Sequence, residues 1–291
     1  MKSKGLVKKK YRIHKQTTAE RVIIGVILAL FGSFMLLPLI YIVNTAFKPM
    51  DELFIFPPRF FVINPTLKNF RDLAVIIPSS WVPFSRYVFN TVLVTAIGTT
   101  GHVILASAAA YAMEKLDFPG RKIMFSSVVL SLMFSTVVTA IPNYLIISKV
   151  KLIDTLASIY IPALQSSLGL YLMKQYIVTN VPDSLLESAR IEGAGEWRIF
   201  FKVVMPIVKP AWLTLIIFIF PGLWNATGGV YIYSEQIKTL PVALLQIAAG
   251  GIARAGVSSA ISLIMIIVPV IMFIITQSSI METMATSGLK E

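Results

Sequence analysis

The residues with most to offer chemically lie between Pro182 and Pro210. Glu187, Ser188 and Ala189 are followed by Glu192, Gly193 and Ala194, then by Trp197 and later Pro206. The stretch is polar, charged and glycine-broken, and strongly apolar segments flank it. In a membrane protein such a segment between two spans reads as a docking element. The chemistry it offers is recognition. Carboxylates can meet a partner's cations, and glycine permits close backbone approach and positive φ.

Taken residue by residue, the stretch describes helix, turn, helix, kink and span. Asp183 or Ser184 can cap a helix, and Ser184-x-x-Glu187 fits a capping box, in which Glu187 reaches back to the cap backbone. Glu187 thus has two roles open, helix start or charged contact. Gly193-Ala194-Gly195 reads as a bend between two short helices, with a flexible linker as the plainer reading. Trp197, Phe200, Phe201 and Val204 fall at i, i+3, i+4 and i+7, which is one apolar helix face. Arg198 and Lys202 lie off that stripe. Such a helix can rest on a membrane surface or pack under its own bundle. Pro206 and Pro210 then break the chain. A short helix in a partner's groove is a known recognition mode. Rigid attachment to a span would let closure of the partner tilt the bundle.

Catalytic chemistry finds no support. The 291 residues include no cysteine, which removes disulfides, thiol catalysis and zinc thiolate sites. No G-x-x-x-x-G-K-[ST] loop is present to cradle a nucleotide, and no catalytic set or metal cluster emerges. The two histidines are His14, in a basic tail, and His102, in an apolar segment. His102 either lines a path or is a neutral histidine satisfied by a neighbouring helix. Proton-coupled carriers bury titratable relays in their spans, and these spans carry almost none. Energy must then come from a partner.

The elements that position these residues are membrane spans. The chain is 56% hydrophobic and 14% charged, with mean hydropathy +0.78, against about 25% charged for soluble domains. A crossing helix needs about 20 apolar residues. The pattern predicts an all-α membrane protein with six transmembrane helices near 22–46, 87–113, 122–148, 156–176, 208–232 and 258–280. A cytoplasmic tail, 1–21, precedes this 22–280 domain and a second, 281–291, follows it. Pro162 and Gly169 interrupt the fourth span. The first 21 residues hold eight Lys and Arg against one acid, Glu20. Nucleic-acid binding is one reading of such a tail; a retention signal before a first span is preferred. Both termini are then cytoplasmic. The long external loop, 47–86, contains Pro57, Pro58, Pro65, Pro78 and Pro83 and is not one helix. Its Phe54, Phe56, Phe60, Phe61 and Trp81 suit a membrane interface or a partner.

The Glu187–Pro206 pattern resembles the EAA loop of ABC-importer permeases, with Ser188 for the first alanine and Met205-Pro206 for the distal Leu-Pro. Glu192 stands where the carbohydrate branch usually has aspartate. Asn64-Pro65-Thr66-Leu67-Lys68-Asn69-Phe70, Asn90-Thr91, Ala110-Tyr111-Ala112, Phe118-Pro119-Gly120-Arg121, Trp224-Asn225, Thr239-Leu240-Pro241 and Met284-Ala285-Thr286-Ser287-Gly288-Leu289-Lys290 are similar to that branch, in the same order. The tail departs from it in having Thr283 and Ser287 where the branch has glycines.

The resemblance implies a type I importer subunit of the bacterial plasma membrane. It implies a second homologous permease, two ATPase subunits and an extracytoplasmic solute-binding protein as partners. ATP and Mg would be bound by the ATPases, and no cofactor by this chain. Glu187, Ser188, Ala189, Glu192, Gly193, Ala194, Trp197 and Pro206 would carry the coupling. For a carbohydrate cargo, Asn90, Thr91, Thr95, Ser131, Ser135, Trp224 and Asn225 offer hydroxyl partners and an aromatic plane. The plainer reading is that such small polar groups join helices within the lipid. Rival readings are a permease of the same architecture for peptides or other solutes, a secondary transporter, and a polytopic membrane enzyme or assembly factor.

Overall fold

The computed structural model describes residues 17–76, 82–250 and 254–287, with the backbone alone over 278–287. The basic tail up to residue 16, with His14, lies outside the described residues, as do Pro78, Trp81 and the last four residues. Every regular element among the described residues is helical.

Among the described residues, three helices are long and apolar enough to cross a membrane. They are α1 (Thr18–Phe47), α4 (Phe84–Lys115) and α14, which is continuous over Ala255–Ser287 and qualifies over Ala255–Gln277. In the 47–86 loop, α2 (Met50–Leu53) and α3 (Lys68–Ile76) interrupt irregular chain. That loop is tied by its polar groups. The Glu52 carboxylate accepts from the Ile63 and Asn64 amides at 3.1 and 2.8 Å. Asn69 Nδ2 donates to the Ala46 and Lys48 carbonyls.

The third predicted span, 122–148, is not one helix. It divides into α5 (Arg121–Ser131) and α6 (Thr136–Lys149), bent by 117°. Ser135 caps α6, its Oγ accepting from the Val137 amide at 3.3 Å. The fourth, 156–176, divides into α7 (Ala157–Leu164) and α8 (Ser167–Asn180). The break falls at Gln165–Ser166, between the two residues that signalled an interruption, and Ser166 Oγ accepts from the Gly169 amide. The fifth, α12 (Lys209–Trp224), ends eight residues before its predicted end at 232. Gly228 and Gly229, at φ +74° and +49°, carry the chain away from helix there. A short apolar helix, α13 (Leu240–Ala248), follows in what reads as an external loop, with Pro241 in its first turn.

α4 is the hub. It packs against α7, α8 and α12, while α14 packs against α1, α12 and α13. Apolar side chains from α4, α8 and the 182–210 segment close one core, around Tyr111, Met173, Ile177, Leu186, Phe200 and Val204. A second core, around Tyr87, Trp224, Leu244 and Ile261, joins the other end of α4 to α12, α13 and α14. Close helix approach is visible at Gly169. A Cβ there would collide with His102 Nε2, so the imidazole occupies the space a side chain would need.

Candidate functional site

The 182–210 segment folds as two short helices about a glycine turn. α9 (Asp183–Ile191) starts on Pro182 without a side-chain cap. The predicted capping box does not form. The helix begins two residues earlier than a Ser184 cap requires, which puts Ser184 inside the first turn, where its carbonyl accepts from Ser188 Oγ at 2.9 Å. Glu187 is exposed and makes no hydrogen bond among the described residues. Of its two roles, the cap is removed.

Gly193 sits at φ +80°, a conformation costing other residues about 1–2 kcal/mol. Its amide donates to the Arg190 carbonyl, and the Ala194 amide to the Ala189 carbonyl, both at 3.0 Å. The turn is therefore a bonded helix end, not a loose linker. Beyond it come α10 (Glu196–Ile199), a π-helical turn over Phe200–Val204, and α11 (Met205–Ile207), before the chain bends 78° into α12.

The predicted apolar face divides in two. Phe200 and Val204 are buried, with Ile199 and Val208 beside them. Trp197 and Phe201 point outward, 72% and 51% exposed, with rings stacked 6.1 Å apart. The π turn widens the helix, so i, i+3, i+4 and i+7 no longer share one face. Ile191 on α9 is 87% exposed. The outcome is a small exposed apolar surface on a rigid support, with the exposed carboxylates of Glu187 and Glu192 on the same helix–turn unit.

Two polar latches hold this unit to the end of α4. Tyr111 donates its hydroxyl proton to Glu196 Oε2 at 2.5 Å, and Arg190 Nε donates to Glu196 Oε1 at 2.8 Å. Lys115 Nζ donates to Asp183 Oδ1 and to the Val181 carbonyl, each at 2.7 Å. The Arg190 hydrogen bond, then that of Tyr111, holds the Glu196 carboxyl below its ordinary value. Lys115, by hydrogen bond and by charge, does the same to Asp183. A third pair, Lys174–Glu114 at 2.6 Å, ties α8 to α4 nearby.

The polar groups in the apolar segments do not form one constellation. Asn90 is fully buried and donates to the Gln236 and Lys238 carbonyls at 2.9 Å. Thr91 Oγ1 donates to the Tyr87 carbonyl and accepts from the Leu240 amide. Together they seat the chain leading into α13. Trp224 is buried and donates its indole N–H to the Met265 carbonyl at 3.1 Å. Asn225 bonds back to the Pro221 carbonyl. Thr95 is buried with its hydroxyl unpaired. Ser131 stands apart from these, at the α5–α6 break. Its Oγ donates to the Val128 carbonyl at 2.6 Å and meets Ser167 Oγ at 2.5 Å.

Residues 102–283 match the family described as the binding-protein-dependent transport system inner membrane component. The chain belongs to this family. The permease is 28% identical over 231 residues to the polygalacturonan/rhamnogalacturonan transport system permease protein YtcP of Bacillus subtilis, covering 79% of this chain and 78% of that one. It is 26% identical over 261 residues to the arabinooligosaccharides transport system permease protein AraQ of Halalkalibacterium halodurans, covering 87% and 90%. Its fold matches a chain from the crystal structure of a bacterial ABC transporter involved in the import of the acidic polysaccharide alginate. The TM-score is 0.75, with 22% identity over 90% of the permease and 98% of that chain.

Several partners in the latches escaped the sequence reading. Lys115, Arg190 and Glu196 look like ordinary solvated charges at segment ends, Asp183 reads only as a helix cap, and no spacing rule pairs residues 85 apart, as Tyr111 and Glu196 are.

Proposed function

We propose that this permease is the membrane-spanning subunit of an ATP-driven, binding-protein-dependent carbohydrate importer. The 183–204 unit is where it receives force from an ATPase. The observation that carries this is the combination found there: an exposed surface of Ile191, Trp197 and Phe201 beside free carboxylates, fastened through two latches to the helix at the centre of the fold. Exposed apolar patches with a polar rim mark interaction sites, and a bonded turn transmits displacement where a slack linker absorbs it. Five crossings result if each bent pair that is long and apolar enough crosses as a unit, and the α7–α8 segment is taken as the sixth. Both termini then face the cytoplasm, as does the docking unit. A second permease completes the path, two ATPases carry ATP and Mg, and an external binding protein delivers the sugar. The sugar assignment follows the relatives named above, whose names and title refer to oligo- and polysaccharides.

The assembled transporter tests this through Gly193→Pro and Glu187→Lys. Proline abolishes both the +80° φ and the Gly193 amide bond, and lysine reverses a free charge at the surface. Each is expected to cut sugar uptake by roughly tenfold or more, which corresponds to about 1.4 kcal/mol of lost coupling. The subunit's amount in the membrane stays the same. Undiminished uptake with both variants would show that force enters elsewhere.

A further inference from the structure

Two apolar segments of the permease break, and the breaks touch. α5 turns into α6 across residues 132–135, and α7 gives way to α8 at Gln165–Ser166. Ser131 and Ser167 join the two breaks through their hydroxyls. Helix breaks at membrane depth are tolerated where protein buries the freed backbone or where it lines a water-filled cavity. Interrupted helices are also where membrane carriers hold their cargo.

A cavity of about 440 Å³ opens beside the second break, lined by Leu105, Ile147, Ile161 and Pro162 together with the amides of Asn143 and Gln165. Its size falls within the roughly 300–1,000 Å³ of ligand pockets. Neither amide has a hydrogen-bond partner among the described residues. Asn143 is half-buried and Gln165 is exposed, so both amides are open to an occupant, and within a bilayer's apolar interior an amide gains from a polar one. Among the described residues, no Lys, Arg, Asp or Glu lines it.

We propose that Asn143 and Gln165 form a subsite for the hydroxyl groups of an uncharged saccharide unit in transit. Each amide offers two donors and an acceptor, which suits neighbouring hydroxyls, while the Ile161 and Pro162 surfaces suit the C–H face of a sugar ring. A carboxylate or phosphate would find no cation in this cavity. The inference rests on the carbohydrate-permease reading and narrows it. It favours neutral units of the arabinooligosaccharide kind over the uronate units of a polygalacturonan or alginate.

The natural absence of cysteine makes the test direct. Asn143→Cys, Gln165→Cys and, as a control on the outer face of α6, Ile141→Cys are introduced singly into the assembled transporter in membrane vesicles. Labelling of this subunit by a small water-soluble thiol reagent is followed by gel shift. Residues 143 and 165 are expected to label, and a transported neutral arabinooligosaccharide to slow their labelling at least about fivefold, leaving residue 141 unaffected. Asn143→Leu and Gln165→Leu are expected to lower uptake of that sugar about tenfold each, the scale of one lost hydrogen bond in a site built for it. Failure of either cysteine to label, or labelling indifferent to a sugar that is transported, overturns the subsite. Protection by oligogalacturonate alone overturns the uncharged class. Transport of no saccharide, neutral or acidic, overturns the carbohydrate reading itself.

Discussion

Glu196 is the residue on which the 183–204 unit turns. It takes one hydrogen bond from a core tyrosine and one from a surface arginine. The arginine pair is partly solvated, with side chains 37% and 42% exposed, so solvent screens it to at most about 1 kcal/mol. The Tyr111 bond is the stronger anchor, since its donor is buried and its acceptor charged. Tyr111→Phe is expected to cost about 1 kcal/mol and to raise hydrogen exchange across 183–204 with little change in the second core. Glu196→Gln keeps the shape and is expected to behave similarly. Uniform loss of protection over the whole chain would show that Tyr111 only fills space. The pH dependence has a definite sign. Glu196 and Asp183 both titrate below their ordinary 4.5 and 3.8. Carboxylates lowered in this way contribute stability above the unfolded value and lose it as pH falls through the folded one. Protection of 183–204, corrected for intrinsic exchange rates, is therefore expected to be flat from about pH 8 to 5 and to fall only in stronger acid.

At the scale of elements, the helices that cross unbroken were the ones legible in the sequence. The α1, α4 and α14 segments are long apolar runs, and hydropathy alone finds them. The bend between α5 and α6 carries neither proline nor glycine, since residues 132–135 read Leu-Met-Phe-Ser, as apolar as the helices beside them. Ser135 caps the new helix locally, and Ser131 bonds across to Ser167, a contact no local pattern shows. The glycine turn of the docking unit was legible because positive φ has a local signature. The division of its apolar stripe was not, because a π turn has none. The second break gives a sharper test of packing. Leu164 ends α7, and its carbonyl, one of the unpaired groups at a helix end, lies 3.3 Å from His102 Nδ1. His102 is thus a satisfied core histidine that patches a broken helix, seated in the space above Gly169. Gly169→Ala is expected to destabilise the subunit by about 1–3 kcal/mol through overpacking. Combined with His102→Ala, it is expected to cost less than the sum of the single losses, by about 1 kcal/mol. Thermal inactivation in detergent measures all three variants. Additive losses would mean that the imidazole does not hold the two helices apart.

For the whole molecule the question is which end faces the cell interior, and α4 supplies the ruler. Tyr87, near its start, donates to Glu235 at 2.9 Å; Lys115, at its end, pairs with Asp183. At 1.5 Å per residue these clusters are separated by about 42 Å, more than the roughly 30 Å of a bilayer's hydrocarbon. They therefore belong to opposite faces. The outer cluster is closed by Asp154, which accepts from the Tyr233 and Ser234 amides at 2.9 Å and binds the 150–156 turn to the chain before α13. The Lys115 cluster is continuous with the docking unit and with the Asp117–Arg121 pair. Lysine and arginine accumulate on the cytoplasmic side of membrane proteins. Of the 26 in this chain, eight lie in the 21 residues before the first apolar run, so the orientation proposed above has the start of α1 inside. In that proposed orientation one crossing by α1 would put the 47–86 loop outside, and α4 would run inward from Tyr87 to Lys115. Single cysteines at Asn64 and Tyr233 are expected to react with a membrane-impermeant thiol reagent in intact cells. Cysteines at Asp117 and Arg198 are expected to react only after the membrane is opened. The reverse pattern would place the docking unit outside, where no ATP-hydrolysing partner could reach it, and the coupling function would fall with it.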